Sequence, residues 1–375
     1  MSSICEVSSL PQLSPERADR PKVAVVLSGW PRVSEVFALN ELVALHRAGM
    51  LGPVVALKQG ESAPAQPAVA EIHGLVEVLP PGSTATQAAA LADRIRAAEV
   101  SAVHGYFAHA PAEVAAAAAK MCDLPYGFSV HALDARKVPR AELAHRAEQA
   151  RIVISCNRDA AAEITATGVT PCLVRHGVDL SAFAPTRPPR RKPVSLLAVG
   201  RLVEKKGFDV LLEAITELDR AVHLRLVGTG ALRGDLLDAI DRRGIGDRVE
   251  LLGRQTHATL PALYAHSDIL VVPSVVDSSG DRDGLPNVVL EAMASQRPVV
   301  ASDVAAISTA VRDGVTGSLV APGDPSALAA AIRTLVDDWE LRMAMGAAGR
   351  RVAEVEFALS RCTAEFCRTL ERAYG

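Results

Sequence analysis

Residues 283–298 read DGLPNVVLEAMASQRP and set two carboxylates, Asp283 and Glu291, around the start of a helix. Pro286 suits the first helical position, because its missing N–H would have no partner there and its φ is already near helical. The free N–H groups of Gly284, Leu285 and Asn287, with the positive dipole end of the helix that Pro286 opens, make a ready site for phosphate. Glu291, about a turn and a half further in, lies among Val288, Val289, Leu290, Ala292 and Met293, where a carboxylate must find partners. Two cations complement these acids. In GRLVEKKG (200–207) Arg201 and Lys206 follow an apolar run and precede the helical pattern FDVLLEAI, so both can project from a strand end toward an anionic ligand. Lys205 reads as an exposed neighbour.

Further polar residues stand at the ends of apolar runs. His131 closes PYGFSV; His104 and His109 flank Tyr106 and Phe107; Gly29 follows the first run, with Glu35 a few residues on. An acid at Glu35 is equally explained by the dipole of the helix it opens. The histidines lack a carboxylate or third ligand at metal-binding spacing, so no metal is expected. Gly228, Gly230 and Gly234 in VGTGALRGDL are spaced G-x-G-x-x-x-G, and no acid ends the next strand where a dinucleotide fold needs one. An NAD-dependent oxidoreductase is thus disfavoured, and the glycines read as a tight loop that lets the backbone approach a nucleotide.

The elements that must position these residues are legible as short β-branched runs alternating with longer helical patterns. In the first half the runs are Val23–Ser28, Val54–Leu57, Leu75–Leu79, Val100–Val103, Gly127–Val130, Arg151–Ser155 and Cys172–His176. After SAFAPTRPPRRKPV (181–194), rich in proline and arginine, they resume as 194–200, 223–228, 248–253, 268–274, 297–302 and 318–322. This is the rhythm of right-handed βαβ units in parallel sheets. The 375 residues suit two domains: a leader at 1–20 expected to be disordered, a first domain at 21–182, a linker at 183–193 and a second domain at 194–357. A net charge of −3 lacks the basic excess of a nucleic-acid-binding domain. Six scattered cysteines read as reduced thiols, and no secretory signal or apolar run of about 18 residues occurs, so a cytoplasmic protein without a transmembrane segment is expected. The basic linker leaves peripheral membrane contact open.

Together DGLPNVVLEAMA, VGRLVEKKGFDVLLEAI, LRLVGTGALRGDL, VELLGR and LYAHSDILVVPS resemble the retaining glycosyltransferases of family 4 across nearly all of the second half. More loosely, SGWPRVSEVFALNEL, HGYFAHAPAEVA and FSVHALD are similar to the subgroup that builds bacterial exopolysaccharides such as colanic acid. The resemblance implies an α/β protein of GT-B fold: two doubly wound Rossmann-like domains facing across a cleft, with a C-terminal helix (about 358–375) returning to the first. It implies that Arg201 and Lys206 clamp the diphosphate of a nucleotide-sugar donor and that Glu291 accepts from its ribose. Arg254, Gly29, Gly228, Gly230 and 284–287 complete the donor site. His131 and Asp283 bond the donor sugar near the reacting centre. Here Asp283 stands where the family has glutamate, which leaves the sugar open. Glu35, His104 and His109 fall on the acceptor side. The implied reaction moves a hexose-like sugar, with UDP favoured over GDP, to a saccharide, lipid-linked or small-molecule hydroxyl. It needs no cofactor and no metal. A glycosyltransferase of specialised metabolism and a non-catalytic sugar-nucleotide-binding protein are the alternatives.

Overall fold

The computed structural model describes residues 20–375 except 33–34, 62–66, 132–133, 187–189, 191 and 220. It divides into two compact units, the first comprising the described residues through Gly177 together with Leu359–Gly375, the second Val178–Ala358.

The first unit is built on seven strands: β1 (Val23–Leu27), β2 (Leu51–Ala56), β3 (Val76–Val78), β4 (Ala102–Tyr106), β5 (Tyr126–Val130), β6 (Ile152–Ser155) and β7 (Cys172–Leu173). They lie in the order β3-β2-β1-β4-β5-β6-β7 and all pairs are parallel. Every residue of β1, β4 and β5 is buried, as expected of strands covered by helices on both faces. One face packs on Leu91, Ala112 and Ala115, the other on Leu39, Leu42 and Leu45. The latter core is completed by Phe366, Cys367 and Leu370 of the helix Leu359–Tyr374, which packs against the helix Val36–Arg47. The expected return of the last helix to the first unit is therefore observed.

The second unit holds β8 (Val194–Val199), β9 (Val222–Val227), β10 (Val249–Gly253), β11 (Ile269–Val272), β12 (Val299–Ser302) and β13 (Gly317–Val320). Their order is β10-β9-β8-β11-β12-β13, again parallel throughout. In each sheet the strand order reverses beside the first strand, between β1 and β4 and between β8 and β11. Ligands of doubly wound sheets bind outside the carboxyl ends at such a reversal. Local chemistry fixes the later helices: Asp324 and Asp338 accept from Ala327 N and Leu341 N, capping Pro325–Asp337 and Trp339–Glu356.

Three expectations change. The boundary falls at Val178 rather than in 183–193, because Phe183 is buried in the second unit's core and packs edge-on against Tyr264. Of the leader, residues 1–19 lie outside the described residues, whereas Arg20 is held by the Ala48 carbonyl and Glu371. Arg187 and Arg191 of the basic cluster are likewise outside the described residues. Pro286 takes the N-cap position with extended ψ, and the helix runs Asn287–Ala294. Among the described residues no helix is long and apolar enough to cross a membrane. Among the described residues Cys122, Cys156, Cys172, Cys362 and Cys367 form no disulfide.

Candidate functional site

In the second unit the chain leaves β8 through Gly200 and Arg201 and makes a 3-10 turn at Glu204–Lys206, closed by Gly207 in the left-handed region at φ 60°. That turn folds the Lys206 side chain over Gly200 and aims its Nζ at the segment following β11. Lys206 Nζ donates to Asp283 Oδ2 at 2.6 Å, and Ser274 Oγ donates to the same oxygen at 3.1 Å. The two strands that meet at the reversal of the second sheet thus deliver one residue each to an ion pair. Burial opposes ionisation of Asp283, but Lys206, Lys205 and Ser274 outweigh it and hold the carboxyl below its usual value. Arg201 is exposed at the same strand end and its guanidinium makes no hydrogen bond or ion pair among the described residues.

Asp283 and Gly284 are buried immediately before the helix Asn287–Ala294, and no side chain caps its N-terminus. Inside that helix Glu291 is 7% exposed and accepts from Tyr264 Oη at 2.8 Å. Burial pushes its carboxyl up to about 7, with the tyrosine bond pulling the other way. The motif LYAHSDILVVPS contains Tyr264, but nothing in its spacing marks that residue. Its alignment with Glu291 needs the helix Leu260–Ala265 to turn a phenol inward, which spacing alone does not reveal.

Lys205 corrects an expectation. It is 8% exposed, not a surface residue: its Nζ donates to Asp281 Oδ2 at 2.9 Å and lies 3.6 Å from Asp283 Oδ1. The two consecutive lysines both converge on the acidic segment.

Gly228 and Gly230 serve the loop itself. Gly228 has φ 149°, and a Cβ there would collide with the Gly200 carbonyl oxygen; at Gly230 it would collide with that of Leu202. These glycines let the loop after β9 lie against the loop after β8 that carries Arg201 and Lys206. Gly228→Ala is therefore expected to cost about 2 to 4 kcal/mol of stability. Chemical denaturation reads this directly, and an unchanged midpoint would contradict the steric argument. Arg254 is exposed just past β10.

In the first unit, His131 follows β5 and is 7% exposed. Asp134 fixes its backbone by accepting from His131 N at 2.6 Å and from Ala108 N at 2.7 Å, which ties the ends of β4 and β5 together. The imidazole is packed against Phe37 at 4.4 Å, Phe107 at 4.9 Å and His176 at 5.2 Å. Burial first, then the neighbouring His176, His104 and His109, hold it well below the usual histidine value, so it is neutral. Its Nδ1 is buried with no hydrogen-bond partner among the described residues. A neutral imidazole with one open nitrogen can bond a ligand hydroxyl.

His104 does not reach any such place. It is fully buried, with Nδ1 3.1 Å from Tyr374 Oη and Nε2 2.9 Å from Ser129 Oγ, so both nitrogens are used in the core. This overturns its acceptor-side expectation. His109 stacks on Phe107 at 5.5 Å and is lowered to about 4, by burial first and then by nearby cations. Glu35 pairs with Arg32 at 3.1 Å, and burial raises its carboxyl. Gly29 is buried between β1 and Trp30.

Sequence reading missed Glu41 and His176. Glu41 is 5% exposed, accepts from Tyr106 Oη at 2.6 Å and is pushed by burial up to about 8. Its Oε1 lies 3.8 Å from Nε2 of His176, whose ring stacks on Phe37 at 4.3 Å. Ala38, Glu41, Leu42 and Leu45 share one helical face at three- and four-residue spacing, and that signal was available.

Two parallel sheets whose strands run in the order 3-2-1-4-5-6, the first extended by a seventh, decide the architecture. The fold is GT-B. Comparison with solved structures agrees: Anabaena HepE in complex with UDP matches at TM-score 0.79 and 20% identity over 94% of this chain and 100% of that one. The sucrose-phosphate synthase of Thermosynechococcus elongatus matches this GT-B chain at TM-score 0.77 and 21% identity over 94% and 99%. In sequence, residues 193–338 match the family Glycosyl transferases group 1. The alpha-D-kanosaminyltransferase of Streptomyces kanamyceticus is 33% identical over 44% of this chain and 42% of its own length. The amylovoran biosynthesis glycosyltransferase AmsK of Erwinia amylovora is 30% identical over 53% and 50%. The putative colanic acid biosynthesis glycosyltransferase WcaL of Escherichia coli is 34% identical over 41% and 39%. The alignments thus span half or less of these relatives.

Proposed function

We propose that the protein is a retaining glycosyltransferase that moves a hexose-like sugar from a UDP-linked donor to a hydroxyl acceptor in exopolysaccharide or glycoconjugate assembly. The observation that carries this reading is the Lys206–Asp283 pair, set at the carboxyl ends of β8 and β11 beside an uncapped helix N-terminus. An ammonium has three donors, and Asp283 occupies one. The others, with Arg201 and the helix N–H groups, offer positive charge where a diphosphate leaves, so the reaction proceeds without a metal. Asp283 bonds a sugar hydroxyl and Glu291 the ribose; within the first unit, the open Nδ1 of His131 is a neutral acceptor or donor for a ligand hydroxyl. With no nucleophile proposed on the enzyme, retention follows from attack on the face the diphosphate leaves, the departing phosphate taking the acceptor's proton.

The names of the colanic acid and amylovoran relatives and the UDP bound to HepE support the acceptor class and the base. The likeness to a kanosaminyltransferase favours a second reading, a small-molecule acceptor. Transfer and donor hydrolysis measured with a panel of UDP- and GDP-sugars test the proposal. A UDP-sugar is expected to be consumed, with EDTA leaving the rate intact; abolition that Mg²⁺ restores would refute the metal-free mechanism, and turnover of no nucleotide sugar would refute the function.

A further inference from the structure

The three residues of the turn after β8 all bind the segment after β11, the two lysines converging on Asp283. Glu204 accepts from Ser278 N and Ser278 Oγ, each at 2.8 Å. The Lys205 carbonyl accepts from Val275 N at 2.9 Å, and its ammonium reaches Asp281 and Asp283. Lys206 closes on Asp283. Within the segment, Asp277 Oδ1 accepts from the N–H groups of Ser279 and Asp281, both at 2.9 Å, so 277–281 also has hydrogen bonds of its own beside those to the turn.

We infer that Lys205 is a positioning residue: its buried ammonium orients the Asp283 carboxylate toward the donor sugar by holding one oxygen while Lys206 holds the other. This rests on the donor-site reading above. Taking an ammonium out of water is costly, and a lysine on a short turn could reach solvent instead. Lys205 stays in, between two carboxylates, one of which is Asp283. A carboxylate with a cation on each oxygen has its plane fixed, and a fixed acceptor can discriminate between hydroxyl positions on a sugar. With the Lys205 charge gone, Asp283 is free to turn both oxygens onto Lys206. The sugar then loses its oriented acceptor, while the phosphate still meets Lys206, Arg201 and the helix N–H groups.

The test compares wild type with Lys205→Met, which keeps length without charge, and Lys205→Arg, which keeps charge. Calorimetry is run with UDP and with whichever of UDP-glucose, UDP-galactose and UDP-N-acetylglucosamine the wild type binds most tightly. Amide hydrogen exchange of 275–283 is followed in the ligand-free proteins. For Lys205→Met the ratio of UDP-sugar to UDP affinity is expected to fall roughly 10-fold, with exchange in 275–283 accelerated and Lys205→Arg recovering much of both. Equal loss of both affinities, an unchanged ratio, or unaltered exchange would overturn the inference. If wild type binds neither UDP nor any UDP-sugar, the donor-site reading falls, and the exchange comparison still decides whether Lys205 orders the segment.

Discussion

Lys206→Ala is expected to lower turnover roughly 10²- to 10³-fold, because in the proposed reaction it removes a cation whose attraction grows as the diphosphate takes up charge. The geometry sharpens this. The Lys206 ammonium is the shorter of Asp283's two ion pairs, at 2.6 Å against 3.6 Å for Lys205. Its loss therefore strips charge from the phosphate site and loosens the carboxylate at the same time. Donor binding weakens as well, but the larger change falls on turnover, since the interaction strengthens along the reaction. Steady-state kinetics at saturating donor check this, and an unchanged turnover would remove Lys206 from the chemistry. Lys205→Ala is no silent control, because Lys205 is itself buried on Asp281 and Asp283. An exposed lysine such as Lys120 is the proper one.

Glu291→Gln is expected to weaken nucleoside diphosphate binding by about 1 to 3 kcal/mol at pH 8, since the proposed charge-assisted bond to the ribose becomes a neutral one. The free carboxyl titrates at about 7, pushed up by burial against the pull of Tyr264. Wild-type affinity should therefore rise more steeply from pH 6 to pH 8 than the variant's, which keeps only the dependence due to the ligand's own phosphate. Stability moves the other way. The folded carboxyl's value lies above the ordinary 4.5 of a glutamate, so the folded state holds a proton that the unfolded chain has released, and stability falls as pH rises from about 4.5 through about 7. The burden at pH 8 is at most on the order of 3 kcal/mol, and the glutamine does not carry it. Calorimetry with UDP and denaturation across this range check both signs. A variant that binds UDP as tightly as wild type at pH 8 would refute the ribose role.

Much of the architecture was legible because parallel strands buried on both faces write themselves as unbroken β-branched runs. Each strand of both sheets falls on one of the runs read from the sequence, to within a few residues at the ends. The Asp283–Glu291 segment and Lys206 were legible for a different reason: taken alone, a glutamate on a helix and a lysine in a turn read more readily as solvated surface, and the resemblance of the surrounding motifs to family 4 glycosyltransferases reverses that reading. What escaped depends on where side chains turn. Lys205 and Lys206 are chemically identical neighbours, and only the 3-10 turn decides that both point inward. His104 sits in a strand between apolar residues, and its saturation by Ser129 and Tyr374 needs a partner 270 residues away. Glu41 escaped because a glutamate among leucines on an amphipathic helix is ordinarily placed on the wet face. The Tyr106 phenol, delivered by another strand, satisfies it inside.

The helix Leu359–Tyr374 gives synthesis an unusual order. The chain enters the second unit at Val178 and leaves it at Ala358, and these two residues form a parallel bridge, with Val178 N also donating to the Phe357 carbonyl at 2.8 Å. Everything between them can reach its final contacts as soon as it has emerged from the ribosome. The earlier-made unit cannot, for Phe366, Cys367, Leu370 and Tyr374 belong to its core, and Tyr374 lies against Gly127, where a Cβ would strike its hydroxyl. During translation the N-terminal sheet therefore waits, with an apolar face uncovered, for some 180 further residues. The half that is made first is finished last.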